Sequence, residues 1–190
     1  MNLLHTRTIA AKNACFRLQY ASNLHITNHE KPLFPLFIQP TAPHLAIVGN
    51  VGNPKSDYYR SFFAWASSRW KSIIYVPGEV EHKVMESPYE IIKHHQNIFM
   101  LDKHNQFYIY EPYKLALWIP TETSSYRQLF IFTYGCEERR TYLEHHGTIY
   151  SHGLNGENKK IFINSRGCNE SPDVGFSTEA VMSFSSKNMN

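Results

Sequence analysis

Polar side chains capable of metal binding or proton transfer recur directly after the apolar runs of this sequence. They are Asn23, His25, Asn50, Glu79 and His152. Oxygen and nitrogen donors that meet at one edge of a sheet can hold a metal ion or form a catalytic centre. The chemistry that this pattern indicates is metal-assisted hydrolysis or ligand binding at that edge.

The segment 45–54 is the clearest positional signal, because four apolar residues run into a Gly-Asn-Val-Gly turn. A continuous apolar run predicts a strand that is buried on both faces. Gly49 and Gly52 allow the backbone to turn sharply where that strand ends. Ligands of layered α/β folds bind at this carboxyl edge, so Asn50 occupies a position where a functional side chain is expected.

The segments around this strand predict a β-α-β unit. Alternation from Phe16 to Ala21 predicts a first strand, and we expect it to continue to Ile26. Ser56-Asp57 predicts a helix start, and apolar residues at 59, 62, 63, 66 and 70 share one helical face. The run 72–76 predicts the next buried strand, which makes the unit locally parallel and right-handed.

The rest of the chain predicts a turn, a short helix and further strands. The turn spans 77–82, the helix 88–95, and an antiparallel meander 97–101, 107–110 and 114–118; later strands span 129–133, 148–150, 160–164 and 180–184. Asn155-Gly156 predicts a hairpin between two of these strands. The segment 33–38 lies among four prolines, which predicts a connection outside the sheet ladders.

Composition predicts one globular domain. The chain has 190 residues, is 42% hydrophobic and carries a formal net charge of +3, which gives no strong signal for nucleic acid. Three cysteines without C-x-x-C spacing indicate neither a disulfide framework nor a thiolate zinc site. Since no apolar run reaches membrane-spanning length and no signal peptide is evident, we expect an intracellular (cytoplasmic) or virion protein. We divide it into an irregular arm 1–15, a domain 16–184 and a polar tail 185–190.

Four short segments, 22–26, 49–52, 77–81 and 151–154, occur in a characteristic order. Their order and spacing resemble the D-x-H, G-D, G-N-H-[DE] and G-H-x-H blocks of the calcineurin-like metallophosphoesterases. Leu117-Trp118 and the segment 164–167, which is similar to N-P-R-G, add to the resemblance. It implies an α/β sandwich of two mixed β-sheets flanked by helices. Only residues 119–128 stand where the family has a helical insertion, so we expect this sandwich to be shortened on its helical side.

The resemblance implies a two-metal site whose ligands are largely substituted here. In the family, two divalent ions about 3.5–4 Å apart are bridged by an Asp and by a hydroxide that attacks phosphorus. His25 and His152 match metal ligands, while Asn23 and Asn50 replace the two Asp ligands, and Glu79 replaces an Asn. Further substitutions are Val80 for the general-acid His, Tyr134 for a lone His ligand and Leu154 for the second His of the last block. Glu81 matches the acidic residue that ends its block.

The charge of the expected metal ligands indicates whether the protein is an active enzyme or an inactive relative. Two adjacent dications need anionic ligands, and carboxamides cannot supply the missing charge. We therefore expect no cofactor and an inactive relative of the enzymes that serves as a structural or assembly component with protein partners, for instance in the particle of a large DNA virus. Tyr58 and Trp65 mark a partner surface in this interpretation, or else cap the edge of the sheet.

Two alternatives stay open from the residues. One is a divergent phosphoesterase acting on phosphomonoesters or phosphodiesters, with a single zinc or manganese ion held by His25, Glu79 and His152. The other is a phosphate-binding module that uses the backbone amides of 49–52 and the guanidinium of Arg166. Metal binding favours the first alternative, and phosphate binding without metal favours the second.

Overall fold

A computed structural model describes residues 15–26, 33–84, 88–101, 107–110, 115–118, 128–133, 148–152, 159–164, 166 and 175–185. The expectations for the arm before residue 15, for the segment 119–127, for Tyr134 and Leu154 and for the tail after residue 185 lie outside these ranges. No helix in the described ranges is both long and apolar enough to cross a bilayer.

The first sheet has five strands in the order β10-β1-β2-β3-β4. They are β1 (Cys15–Ser22), β2 (His44–Val48), β3 (Ser72–Val76), β4 (Ile98–Met100) and β10 (Val181–Ser185). Strands β1 to β4 are parallel, and β10 pairs antiparallel with β1. Three helices accompany them: α1 (Asp57–Ser67), α2 (Glu79–His82) and α3 (Pro88–Ile92). The α/β class and the β-α-β unit over β2, α1 and β3 are confirmed.

The second sheet also has five strands, in the order β5-β6-β7-β8-β9. They are β5 (Phe107–Tyr110), β6 (Leu115–Trp118), β7 (Gln128–Thr133), β8 (Thr148–His152) and β9 (Lys159–Ile163). Only β7 and β8 pair in parallel. The antiparallel pairing of β8 with β9 confirms the hairpin, although its Asn-Gly turn lies outside the described residues.

Two expectations about the secondary structure between β3 and β5 were wrong. Strand β4 does not join the meander but extends the first sheet in parallel with β3, and the amide of Leu101 donates to the carbonyl of Tyr75 at 2.8 Å. A three-residue apolar strand carries no signal for its partner. The segment 77–82, expected to be a turn, contains α2, whose third residue, Glu81, is buried.

Helix α1 covers one face of the first sheet. The hydroxyl of Ser56 accepts from the backbone N–H of Tyr58, which caps the helix as the sequence predicts. Four buried side chains face the sheet: Tyr59, Phe62, Phe63 and Ala66. Each fully buried aromatic side chain contributes about 1.5–3 kcal/mol.

The opposite face of the first sheet is buried as well. Alternation places Ile47 and Tyr75 on the α1 side and Val48 and Val76 on the other side, yet the latter pair is 0% exposed. The same holds for Ala46 and Ile74. Both faces of the parallel strands are therefore covered, as their continuous apolar runs predict.

The connection between β1 and β2 packs on the outside of α1. Phe34–Leu36 form a 3₁₀ turn, which confirms that 33–38 lies outside the sheet ladders. The Phe34 ring lies 5.5 Å from that of Trp65, and Trp65 lies 5.5 Å from Trp70. Tyr58 and Trp65 are partly buried and pack against this core.

The residues after β9 are anchored on β1. The amide of Ser22 donates to the carbonyl of Asn164 at 2.9 Å, and the amide of Arg166 donates to the carbonyl of Ser22 at 3.0 Å. The Asn164 side chain donates to the carbonyls of Tyr20 and Ser177, each at 2.8 Å. These hydrogen bonds hold the carboxyl end of β1, and the candidate site lies directly after that end.

Candidate functional site

The loops that follow β1 and β2 continue to pair after the strands end. The amide of Asn23 donates to the carbonyl of Gly49 at 3.3 Å, and that of His25 donates to the carbonyl of Asn50 at 3.0 Å. The amide of Ile26 donates to the carbonyl of Val51 at 2.6 Å. The structure therefore brings Asn23, His25 and Asn50 to one edge of the sheet.

Three non-glycine residues at this edge have left-handed backbone conformations. The φ angles are 49° at Asn23, 44° at His25 and 35° at Asn50. Such conformations are uncommon in non-glycine residues. Each costs about 1–3 kcal/mol and persists only where surrounding contacts compensate for it. These bends end β1 at Ser22, so the expectation that the strand continues to Ile26 was wrong.

Asn23 and Asn50 form a direct hydrogen bond between their side chains, and we call these two residues the amide pair. The Nδ2 of Asn50 donates to the Oδ1 of Asn23 at 3.0 Å. The Oδ1 of Asn50 accepts from the backbone N–H of Val80 at 3.0 Å. Because a backbone N–H can only donate, Val80 orients the Asn50 amide and directs its nitrogen toward Asn23.

Two glycines allow the loops at this edge to approach one another closely. A Cβ at position 78 would overlap the backbone nitrogen and the Oδ1 of Asn50. A Cβ at position 52 would lie 2.7 Å from the carbonyl oxygen of Ile26. Gly49 has a φ of 79° and provides the turn that the sequence indicates. Close approach of backbones, rather than flexibility, explains Gly52 and Gly78.

Glu81 is an acidic residue that lies beneath these loops and is 0% exposed. Its Oε1 accepts from the amides of Val51 at 2.5 Å and Gly52 at 3.0 Å, and its Oε2 accepts from the amide of Gly78 at 2.7 Å. We call these three N–H groups the amide cradle. Burial raises the pKa of Glu81, and the bonds to the cradle oppose that rise because they favour the carboxylate.

Two tyrosines continue the network toward α1. The hydroxyls of Tyr59 and Tyr75 lie 2.8 Å apart in the core. Burial and the nearby charge of Glu81 raise the pKa of both phenols, and Tyr75 also has a hydrogen bond to Glu81. Both phenols therefore stay neutral, and Tyr75 links Glu81 to Tyr59.

Sequence reasoning missed the burial of Glu81 and treated it only as the end of a motif. The signal that was available is its position three residues after the helix N-cap Gly78, where a glutamate commonly accepts from the N-cap amide. That pattern would have identified 79–82 as a helix and Glu81 as its capping residue.

Glu79 has the opposite environment on the same short helix. Its carboxylate is 57% exposed and pairs with the ammonium of Lys83 at 2.6 Å. Helix α2 thus presents Glu81 to the strand ends and Glu79 to solvent. Within the described residues, no group of three or more His, Cys, Asp and Glu side chains is placed to hold a metal ion.

The two histidines of the predicted site are described to different extents. His25 is half-buried at the sheet edge, next to the amide pair in the backbone ladder. His152 lies at the carboxyl end of β8, in register with Phe132 and Lys159. The side chain of His152 is outside the described part of the structure.

The side chain of Arg166 interacts with neighbouring residues of the same chain. Its Nη1 donates to the carbonyl of Leu24 at 2.7 Å, and its guanidinium carbon lies 4.3 Å from the centroid of the Phe37 ring. Desolvation lowers the pKa of Arg166. The side chain that the sequence indicates for phosphate therefore supports the loop between Asn23 and Ile26.

Comparisons with family models, with curated proteins and with solved structures each find no significant match to this chain. The functional conclusions consequently depend on the amide pair, the amide cradle and the residues around them.

Proposed function

We propose that this chain is a metallophosphoesterase-like protein without a catalytic metal centre, acting as a structural or assembly component. The observation that carries the proposal is the amide pair. Asn50 acts as donor to Asn23 and as acceptor from Val80 at the same time. A carboxylate at position 50 lacks the donor, so this arrangement requires the neutral side chain.

The arrangement of strands supports the family part of the proposal. Both sheets are mixed and five-stranded, and the motif-like segments at Asn23, Asn50 and Glu79 follow β1, β2 and β3 in turn. The buried face of the first sheet away from α1 supports a second layer on that side. These features are those expected of the two-sheet sandwich that the sequence resembles.

Charge at the strand ends supports the loss of catalysis. The amide pair is neutral, while two close dications require anionic ligands to offset their repulsion. Glu81 does carry a carboxylate, but its oxygens accept from three backbone N–H groups. Glu79 is exposed and paired with Lys83, which argues against a single-metal site that includes it.

The phosphate-binding alternative has little support from the contacts. It requires donors from the 49–52 turn, yet the amides of Val51 and Gly52 donate to Glu81. It also requires the guanidinium of Arg166, which donates to Leu24 and stacks on Phe37. A phosphate would have to displace contacts that hold the site together.

Metal titration combined with a turnover assay tests the proposal. Purified wild-type protein is incubated with Mn²⁺ or Zn²⁺, its melting temperature is recorded, and cleavage of a phosphodiester is followed with and without chelator. We expect neither a saturable shift in melting temperature nor chelator-sensitive cleavage. Tight metal binding with turnover would instead establish the divergent phosphoesterase.

A further inference from the structure

The amide cradle has the arrangement of an anion-binding site. Its three N–H groups come from two different loops, Val51 and Gly52 after β2 and Gly78 after β3, and they converge on one carboxylate. Successive backbone N–H groups that point into one concavity form a recurrent site for anions. Here the occupant is a side chain of the same protein.

The occupant is held without a cationic partner in the described part of the chain. Its partners there are the three amides of the cradle, its own backbone amide and the hydroxyl of Tyr75, with no ammonium or guanidinium among them. A buried carboxylate is stable only when its lone pairs are satisfied by donors. The cradle therefore supplies the stabilisation that a salt bridge would otherwise provide.

The backbone of the cradle is fixed independently of Glu81. The amide of Ile26 donates to the carbonyl of Val51, and Gly52 is in contact with the carbonyl of Ile26. Gly78 packs against Asn50 so closely that a Cβ would not fit. These contacts do not involve the carboxylate of Glu81, so the donors stay in place when that side chain is shortened.

We propose that the amide cradle is a carboxylate-binding site that the chain fills in cis with Glu81, and that a small free carboxylate occupies it once that side chain is removed. The planar group suits the site because one oxygen takes two donors and the other takes one. A tetrahedral phosphate would direct additional oxygens into the buried space near Tyr75. This inference does not depend on the loss of a metal centre.

Formate rescue of the variant Glu81→Ala tests the inference. Melting temperatures are measured in increasing sodium formate and in sodium chloride of equal ionic strength. We expect formate to raise the melting temperature of Glu81→Ala by about 3–5 °C over chloride when formate is at about ten times its Kd. Wild-type protein should melt at the same temperature in both salts, because Glu81 already fills the cradle.

Glu81→Gln is the matched control, because its side chain has nearly the same size as that of Glu81 and fills the space that formate needs, although its NH2 group cannot accept from a backbone amide. It should respond equally to formate and chloride. If Glu81→Ala is unfolded in chloride, the native fraction after refolding from urea is compared in the two salts, and recovery only in formate supports the inference.

Three results would overturn it. The first is the absence of any formate-specific gain in Glu81→Ala, in melting or in refolding. The second is a gain of equal size in wild-type protein or in Glu81→Gln, which would make formate a general stabiliser. The third is a larger gain with phosphate than with formate, which would reject the carboxylate class.

Discussion

The amide pair and the amide cradle lie at the same strand ends, yet the polar side chains in them find their hydrogen-bond partners in different ways. Asn23 and Asn50 are neutral and satisfy each other at 3.0 Å. Glu81 is an acidic residue that is buried, and its carboxyl group accepts from three backbone amides of the cradle. The comparison shows two ways to satisfy polar side chains at strand ends: a buried carboxyl group surrounded by backbone donors, and two neutral amides that bond to each other.

Removing the buried carboxyl group of Glu81 should cause the largest loss of stability. Glu81→Ala leaves three buried N–H groups without acceptors, and each such group costs about 1–3 kcal/mol. We expect a loss of about 3–5 kcal/mol in the free energy of unfolding, measured with urea. The matched control is Glu79→Gln on the same helix, whose exposed ion pair with Lys83 is worth less than about 1 kcal/mol. Equal losses in the two variants would remove the distinction between the two glutamates.

Placing charge in the amide pair should have the next largest effect. In Asn23→Asp or Asn50→Asp alone, the remaining amide can still donate to the new carboxylate. The double variant puts two carboxylates in contact, and we expect a coupling of about 2 kcal/mol at neutral pH in a double-mutant cycle. Additive single effects would show that these side chains do not touch.

The stability of that double variant should depend on pH in a direction that follows from the repulsion between its two carboxylates. Repulsion raises the folded-state pKa of one Asp above its unfolded value, so the folded state binds a proton more tightly. Stability should therefore fall as pH rises through that raised pKa and recover in acid. Added Mn²⁺ should restore part of the loss if the ligand geometry is inherited from an enzyme, and no restoration would contradict the family assignment.

A buried base elsewhere in the first sheet sharpens the comparison. His44 accepts or donates a hydrogen bond with the hydroxyl of Ser72 at 2.8 Å and stacks on Phe16. Burial, assisted by Lys71, lowers its pKa to about 4. Because the unfolded pKa is near 6.5, stability should decrease by about 1–3 kcal/mol as pH falls from 6.5 to 4.

The variant His44→Gln tests that assignment by urea unfolding across this pH range. It keeps a polar contact for Ser72 but has no titrating group, so the pH slope due to position 44 should disappear. A slope that is unchanged in His44→Gln would assign the acid sensitivity to other residues.

The smallest loss of stability is expected at Arg166, whose side chain contacts the loop after β1. Arg166→Lys keeps the charge but loses the planar group that bonds Leu24 and covers Phe37, and we expect a loss of about 1 kcal/mol. Hydrogen exchange should accelerate at the amides of His25 and Ile26, whose loop it holds. Unchanged exchange would show that this loop does not depend on the guanidinium.

Local patterns predicted the frame of the molecule well. The apolar run into Gly49, the capping Ser56 and the helical spacing from Tyr59 gave the β-α-β unit and placed Asn50 at the correct edge. They succeeded because both faces of these strands are buried and helix periodicity is strong. The pairing of β4 with β3 was not predictable, because the choice of partner strand is a tertiary property.

The shared sheet edge of Asn23 and Asn50 was predictable, but the interactions there were not. Residue types placed Asn23 and Asn50 together, but the backbone bends that join them depend on contacts between loops. Glu79 and Glu81 are chemically alike in the sequence, and only the turn of α2 separates an exposed ion pair from a buried carboxylate. Charge requirements at strand ends are a useful guide only when the burial of each group is known.

A crystal structure of the wild-type protein grown in excess Mn²⁺, with anomalous data, tests the central claim most directly. The account predicts that the Nδ2 of Asn50 still donates to the Oδ1 of Asn23 and that no manganese peak lies beside either side chain. Two fully occupied manganese peaks about 3.5–4 Å apart at these residues would contradict it.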